Sequence, residues 1–344
     1  MPYKSVESLK ADERCIREWL GELNPRTALN CGNYFLRYKD WFRAERRWSS
    51  AKALLDDYGR LRTEKDRFKH VDVLKEYIRA KGTGSSDKRN TWYAVHSFYS
   101  FHRLPLPGVP RNEAARLFRS SEEDRRRSLE SAPLRLEEAK RLILNSQQPY
   151  RAALALVFQG AMGLAEFTQF NTRGWKGVVD RLDEPGPLKV DLFREKTSRE
   201  RAERYYTFLG EDARRLVREW LSMRPKSDVD ALFVAYHKQR RMWVPLDSVN
   251  VGAMVTRVAK KIGLIKPSEV DRYHIHAHEF RDLFKSLCAL NGVSPVASEF
   301  FLGHRIEKMG YDKSPEYDVE WFRREYRKIE SQLNIISGSQ NMEI

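Results

Sequence analysis

The chain has 344 residues and a mass of 40.5 kDa, which is enough for two domains with separate cores. Its formal charge of +15 and pI near 9.6 predict a polyanionic partner, which could be DNA, RNA or an anionic membrane. No run approaches the roughly 18 apolar residues of a membrane helix, and the first residues lack the apolar core of a signal peptide. Three widely separated cysteines disfavour a disulfide framework or a structural zinc site. We therefore expect a soluble intracellular protein.

The first third of the sequence predicts short amphipathic helices. Apolar residues recur at helical spacing over residues 5–23, 27–48, 70–80 and 87–102. The pair Asn24-Pro25 is expected to break the chain between the first two helices. Residues 111–133 are rich in charge and poor in apolar groups, which is typical of a linker between domains.

Both halves of the chain are basic. Residues 1–133 contain 28 Lys and Arg against 19 Asp and Glu, a net charge of +9, which leaves +6 for the remainder. This distribution is expected if both halves contact one polyanion from opposite sides, although a merely solubilising surface would give the same pattern.

The second half predicts a mixed domain. A helix with two acids in its first turn follows Pro133, which suits the helix dipole. Residues 150–170 form a mostly apolar stretch that predicts one buried helix. Residues 188–193 and 204–208 carry alternating or aromatic side chains on either side of a charged turn, which predicts a β-hairpin.

Residues suited to phosphodiester chemistry cluster in the last quarter of the chain. His278 and Arg281 are three residues apart, so on a helix they share one face, and His304 and Tyr311 follow. A tyrosine with a pKa near 10 becomes a useful nucleophile when cations neutralise the phosphate and a base accepts its proton. Arg281 could contact two phosphate oxygens, either histidine could donate to them or move a proton, and Lys196 could protonate the leaving oxygen. Such a cation set needs no metal ion.

A metal site is the alternative for part of this segment. His274, His276 and His278 alternate in sequence, but no cysteine lies nearby and no His-Glu-x-x-His pattern is present. The sequence therefore favours the phosphodiester interpretation.

The order Lys196, His278-x-x-Arg281, Leu302-Gly303-His304 and Tyr311 resembles that of the tyrosine recombinases, the phage-integrase family. The resemblance covers roughly residues 25–335. It implies a mainly α fold with a small β-hairpin or sheet, comprising a helical core-binding domain (1–120), a linker (121–133) and a tyrosine-recombinase catalytic domain (134–344). It also assigns Lys196, His278, Arg281 and His304 to the active site.

The resemblance leaves two candidates for the nucleophile. In many family members the tyrosine lies about nine residues after the second histidine, and Lys313 occupies that position here. Tyr311 lies seven residues after His304 and directly follows Gly310. The segment that begins there resembles the Tyr-Lys-Pro segments of integrases, so Tyr311 is the preferred nucleophile. Tyr317, at plus thirteen, is the alternative.

The first arginine of the family is absent. The family pattern Gly-Leu-Arg-x-x-Glu-Leu is matched by residues 161–167, in which Glu166 and Phe167 align but Gly163 occupies the arginine position. Within a helix a glycine would cost about 1 kcal/mol relative to alanine. Three explanations are open: an engineered inactive variant, a natural lineage with a substitute cation such as Arg173, or a homologue that binds DNA without cutting it.

The resemblance implies a site-specific recombinase or integrase of a mobile element or an archaeal-type system. It would act on double-stranded DNA through a 3′-phosphotyrosyl intermediate without a cofactor, as a tetramer on DNA and as a monomer or dimer when free. It would be cytoplasmic and associated with the nucleoid. The alternatives are a cleavage-deficient DNA-binding homologue, a type IB topoisomerase and, less compatible with the residue spacing, a helical RNA-binding protein.

Residues 320–334 predict an amphipathic helix, with apolar residues at spacings of four, three and four. Most such helices pack on their own domain. In the family, however, the segment after the nucleophile often docks on a neighbouring protomer, so we expect this tail to couple subunits.

Overall fold

The computed structural model describes residues 13–81, 84–119, 133–194, 203–265, 275–304 and 318–336. The chain divides into two compact units, Met1–Ser131 and Ala132–Ile344. Helices predominate in both units, and the described strands form two antiparallel pairs in the second. Among the helices described, none is both long and apolar enough to cross a membrane.

The described part of the first unit is helical. Its helices are α1 (Arg14–Gly21), α2 (Pro25–Ala44), α3 (Ala51–Arg60), α4 (Glu64–Ala80), α5 (Ser85–Phe101) and α6 (Arg111–Leu117). Asn24-Pro25 is where α2 begins, because the Asn24 side chain accepts a hydrogen bond from the Thr27 amide at 2.9 Å and Pro25 is the first helical residue. Aromatic rings fill the core, with Phe35 and Phe98 only 4.0 Å apart between centroids.

Two helices of this unit lie where the sequence pattern predicts none. α3 follows the end of α2, and α6 lies within the segment expected to be a linker. Leu117 of α6 is buried, and Glu113 pairs at 2.6 Å with Lys75, which is itself buried on α4. Residues 111–117 of the charge-rich stretch are therefore a helix that packs on the first unit, whereas residues 120–132 lie outside the described residues.

The second unit combines helices with two hairpins. In chain order its elements are α7 (Leu136–Leu144), α8 (Tyr150–Gln159), α9 (Leu164–Gln169), a π-helical turn (Phe170–Gly174), α10 (Lys176–Val179), β1 (Leu188–Arg194), β2 (Glu203–Leu209), α11 (Glu211–Met223), β3 (Val234–His237), β4 (Met242–Pro245), α12 (Ser248–Lys261), α13 (His278–Leu290), α14 (Pro295–Phe301) and α15 (Val319–Leu333). The predicted hairpin is confirmed, with β1 and β2 paired from Leu188 opposite Leu209 to Arg194 opposite Glu203.

The apolar stretch at 150–170 is two helices rather than the single helix predicted. α8 ends at Gln159, and α9 begins after Gly163. Between them Ala161 has a left-handed φ of +49°, a conformation that ends a helix. Periodicity could not show this break, because the residues on both sides are apolar and buried.

The polar groups of Gln159 join this break to distant elements. Gln159 is fully buried, and its backbone carbonyl accepts a hydrogen bond from the Tyr326 hydroxyl at 3.0 Å. Its side-chain amide nitrogen donates to the Leu333 carbonyl at 3.0 Å. Its side-chain oxygen accepts a bond from the Ala213 amide at 3.2 Å. The end of α8 is thereby tied to α11 and α15.

Helix α15 belongs to the core of its own domain. Its apolar stripe is completely buried: Phe322, Tyr326, Ile329 and Leu333. Beyond the helix, the buried Asp212 carboxylate accepts hydrogen bonds from the amides of Ile335 and Ile336, at 2.5 and 2.7 Å. Residues 319–336 thus pack on their own unit in this structure, and the docking of the tail on a neighbouring protomer stays a prediction.

Replacing Phe322 with alanine tests this assignment. Phe322 packs against Tyr206, Phe300 and Phe301, so Phe322→Ala should lower the free energy of unfolding by about 3–5 kcal/mol. Arg327→Ala on the exposed face should change it by no more than about 0.5 kcal/mol. Thermal melts and sedimentation measure both effects. A Phe322→Ala protein with unchanged stability but weakened self-association would return the helix to the docking role.

Candidate active site

Helix α13 carries the first two predicted residues. Arg281 is 7% exposed, and its guanidinium donates a hydrogen bond to the Leu302 carbonyl. His278, one turn earlier, is mostly exposed and lies 3.7 Å from the Asp282 carboxylate. The predicted motif therefore separates into a buried guanidinium that is fixed in place and an imidazole that faces solvent.

The same hydrogen bond brings the second motif to Arg281. Leu302 directly precedes Gly303 and His304, so α13 and the end of α14 are joined at the motif itself. Gly303 has a φ of +64°, which favours glycine. A Cβ built on Gly303 would lie 2.8 Å from the Tyr205 ring of β2. Both the backbone conformation and the close approach of the ring require glycine between Leu302 and His304.

We predict that Gly303→Ala destabilises the protein more than a matched glycine substitution. Gly292 has nearly the same φ, +65°, but a Cβ there would meet no atom within 4 Å. Gly292→Ala should cost about 1–2 kcal/mol from the left-handed backbone alone. Gly303→Ala should cost about 1–3 kcal/mol more, because the Tyr205 ring must move. Denaturant unfolding of the two variants measures the difference, and equal losses would contradict the assigned role of Tyr205.

Glu299 orients His304, the second histidine, although none of the sequence motifs includes Glu299. Its carboxylate lies 2.5 Å from Nδ1 of His304 and also pairs with Lys285. Because an ionised carboxylate only accepts hydrogen bonds, the His304 proton is on Nδ1, which leaves Nε2 for another partner. Glu299 lies five residues before His304, and only the turn after α14 shows that the two side chains meet.

The pKa of Glu299 is lowered, mainly by the hydrogen bond from Lys285 and further by His304. A carboxyl group with a lowered pKa stabilises the fold above its ordinary pKa. This stabilisation is lost as the pH falls through the lowered value. The cluster should therefore be intact at neutral pH and weaken only in acid.

Removal of the Glu299 carboxylate should change the His304 tautomer. In Glu299→Ala the neutral imidazole loses its Nδ1 acceptor, so the ratio of the Nδ1–H to the Nε2–H form should fall about tenfold, equivalent to about 1.4 kcal/mol. Lys285→Met is the matched control, because it removes the other partner of Glu299 and leaves His304 bound. Nitrogen-15 NMR of the imidazole reports both forms. An unchanged ratio in Glu299→Ala would show that the carboxylate does not select the tautomer.

Gly163 lies next to Arg281 in the structure. A Cβ built on Gly163 would lie 3.2 Å from Nη1 of Arg281 and 2.3 Å from a carboxylate oxygen of Glu166. Gly163 is the N-cap of α9, with φ −71° and ψ 159°, so the expectation of a glycine inside a helix is corrected. Any residue can adopt this backbone. The buried Glu166 carboxylate, rather than backbone strain, occupies the space that a side chain would need.

Arg173 is a poor substitute for the missing cation. It is exposed in the π-helical turn, and the nine residues from Leu164 to Arg173 span roughly 13 Å along the helix. Gly163, at the other end of this segment, is the residue that contacts the Arg281 position.

The structure describes only some of the other predicted residues. Lys196, Tyr311 and Tyr317 lie outside the described residues, as does His274. His276 pairs at 3.1 Å with Glu279, a hydrogen bond that raises the pKa of His276, whereas His278 lies near Asp282. The two described histidines of the alternating series thus have separate carboxylate partners. In the described part of the chain, no group of three or more metal-ligating side chains is found.

Solved structures align with almost the whole chain. The Tn1549 transposon integrase in complex with circular intermediate DNA aligns with a TM-score of 0.51 and 14% identity, over 92% of this chain and 100% of that one. XerH site-specific recombinase bound to palindromic difH substrate aligns with a TM-score of 0.50 and 16% identity, over 93% and 85% of the two chains. This chain has the tyrosine-recombinase fold.

The transposon right-end DNA complex of Tn1549 integrase gives the same result, with a TM-score of 0.50 and 14% identity over 92% of this chain and 99% of that one. No family model matches the sequence, and no curated protein matches it either. The likeness to tyrosine recombinases is thus detected in the fold at low sequence identity. The predicted fold class, mainly α with small antiparallel sheets, is confirmed.

Proposed function

We propose that the protein is a tyrosine recombinase that cleaves and rejoins duplex DNA at a specific site. The observation that carries this proposal is the buried Arg281, held against Leu302-Gly303-His304 on one side and facing Gly163 on the other. Its described hydrogen-bond partner is a neutral carbonyl, so the bond does not cancel the guanidinium charge. A buried, fixed guanidinium of this kind suits the charge that develops on a phosphate in its transition state.

In this reaction the Tyr311 hydroxyl gives its proton to His278 or His304, and its oxygen attacks phosphorus. The attack forms a 3′-phosphotyrosyl bond and releases a 5′ oxygen. Lys196 protonates the departing oxygen, and Arg281, His278 and His304 neutralise the phosphate. Attack by a partner strand's 5′ hydroxyl then reverses the step. The bond energy is conserved in the adduct, so the step needs no ATP, and the four cationic side chains neutralise the phosphate in place of a metal ion.

The two units take separate roles in this proposal. Residues 1–120 form the core-binding domain, 121–133 the linker and 134–344 the catalytic domain, and the domains close around one duplex. The net charges of +9 and +6 on the two parts support contact by both. The active assembly is a tetramer on DNA that is monomeric or dimeric when free, and the protein associates with the nucleoid.

A cleavage-deficient DNA-binding protein is the second candidate, and the Gly163 site favours it. The family pattern would place two arginines and one glutamate here. Of these three groups the chain has Arg281 and Glu166, so their summed charge falls from +1 to zero. Loss of one phosphate-stabilising group commonly costs about 10²–10³ in rate. DNA binding would survive, because it depends on many other Lys and Arg.

Covalent trapping on a nicked suicide duplex separates the two candidates. The duplex carries the recombination site of the element that encodes the protein. Gly163→Arg should form the adduct about 10²–10³ faster than the unmodified protein, since its backbone is already permitted and Glu166 can rotate to pair with the new cation. Tyr311→Phe in the Gly163→Arg background should abolish the adduct, whereas Tyr317→Phe should retain it.

Further variants test the role of charge at the site. Glu166→Gln in the unmodified chain removes the carboxylate without changing its size, and it should raise adduct formation if the loss of net positive charge is the defect. An unmodified protein as fast as Gly163→Arg would mean that another cation already replaces the arginine. Tight DNA binding without an adduct in any variant would support the cleavage-deficient candidate.

A further inference from the structure

The second hairpin carries a concentration of positive charge that the proposed chemistry does not use. We name residues 234–245, which comprise β3, its turn and β4, the basic ribbon. Lys238, Arg240 and Arg241 are all exposed at its turn, and the sequence has no acidic residue between Asp230 and Asp247. Within the described part of the chain, none of these three cations has an ion-pair partner.

Other exposed cations of the same unit differ in this respect. Lys176 pairs with Asp230 at 3.0 Å, and Arg181 pairs with Glu184 at 2.6 Å. Arg324 lies 4.0 Å from Asp318. These pairs are typical of a solubilising surface, in which charges of both signs are mixed. The turn of the basic ribbon has a single sign of charge and therefore retains its full attraction for an anion.

The basic ribbon also exposes large apolar side chains beside its cations. Tyr236 and Met242 are each about half exposed, at 50% and 51%. Tyr236 lies opposite Trp243 in the register, and their rings are 5.3 Å apart between centroids. Cross-strand aromatic pairs stabilise a two-stranded ribbon, which is otherwise marginal in water. Cations interleaved with aromatic groups suit nucleic acid, because they offer contacts to phosphate and to sugar or base surfaces.

The backbone at the end of the turn favours glycine. Arg241 has a φ of +50°, which glycine would adopt without strain. Local rules of this kind are commonly broken at functional sites. Position 241 thus carries a cation where glycine would relieve the backbone.

The base of the basic ribbon is rigidly anchored to the segment that begins at the active site. Asn171 is fully buried, and its amide donates to the carbonyls of Phe233 at 3.0 Å and Leu246 at 2.9 Å. Its side-chain oxygen accepts a bond from the Phe233 amide at 2.7 Å. Asn171 lies eight residues after Gly163 on the same helical segment, roughly 12 Å along the axis. The ribbon is therefore fixed within about one duplex turn, roughly 34 Å, of the Arg281 site.

We propose that the basic ribbon is a DNA contact that binds the phosphate backbone beside the reactive phosphate. This inference rests on the proposed function, since it uses the same duplex as ligand. A two-stranded ribbon fits the major groove of B-DNA, where its edges meet the phosphates that line the groove. Lys238, Arg240 and Arg241 contact those phosphates, and the exposed face of Tyr236 packs on the duplex.

The test is the salt dependence of binding to a random-sequence duplex. Each phosphate contact contributes about 0.9 to the slope of log K against log salt concentration. Replacing Lys238, Arg240 and Arg241 with glutamine should lower the magnitude of the slope by about 2–3 and weaken binding about tenfold or more. The matched control replaces Lys176, Arg181 and Arg324 with glutamine, which changes the net charge by the same amount. This control should lower the magnitude of the slope by less than 1.

A single variant separates binding from folding. Arg241→Gly relieves the left-handed backbone, so the melting temperature should stay the same or rise while the slope falls by about 1. Equal slopes for the two triple variants, with tight binding by the unmodified protein, would overturn the ribbon proposal and leave the proposed function intact. If the unmodified protein binds no duplex at low salt, both the ribbon proposal and the proposed function are overturned. Altered sedimentation of the ribbon variant without DNA would instead assign the surface to contact between copies of the chain.

Discussion

The break between α8 and α9 is the constraint on which the second unit depends. It makes Gly163 the N-cap of a new helix, next to the guanidinium of Arg281. The break is tolerated because the polar groups of Gln159 are satisfied by α11 and α15. The far end of the same segment holds the base of the second hairpin through Asn171. One interruption of the backbone thus positions the site and a surface next to it.

Arg281 shows how a buried charge can be kept available. A guanidinium removed from water needs hydrogen-bond partners, and a carboxylate would satisfy it at the expense of its charge. Here a backbone carbonyl supplies one bond, so the positive potential persists. Glu166 lies close enough to the same space to reduce that potential, and among the described residues no second arginine lies beside Gly163 to oppose it. The electrostatic balance next to Arg281 therefore depends on the residue at position 163.

Much of the fold could be predicted from the sequence, because its main signals are local. The hairpin at 188–209, the helix at the start of the second domain and the apolar stripe of α15 all follow from periodicity and capping. Of the motif His278-x-x-Arg281 with Leu302-Gly303-His304, the structure joins Arg281 to Leu302 by a hydrogen bond. What the sequence could not predict depends on contacts between distant segments. Helix α6 pairs with Lys75, the break at 160–163 is tied to Tyr326 and Leu333, and Glu299 meets His304 only after a left-handed turn. The sequence pattern of one segment does not indicate which distant residues it will contact.

The position of α15 has a consequence for how the protein is made. The end of α8 bonds to Tyr326 and Leu333, and Asp212 bonds to the amides of 335 and 336, so the core of the second unit is incomplete until residue 336 has left the ribosome. The first unit, whose described core lies within residues 13–119, can fold much earlier, since chains grow at about 5–20 residues per second. During that interval a nascent chain has one folded basic unit but no assembled Arg281 site. Under the proposed function, the DNA-binding surface of the first unit would therefore form before the cleavage site does.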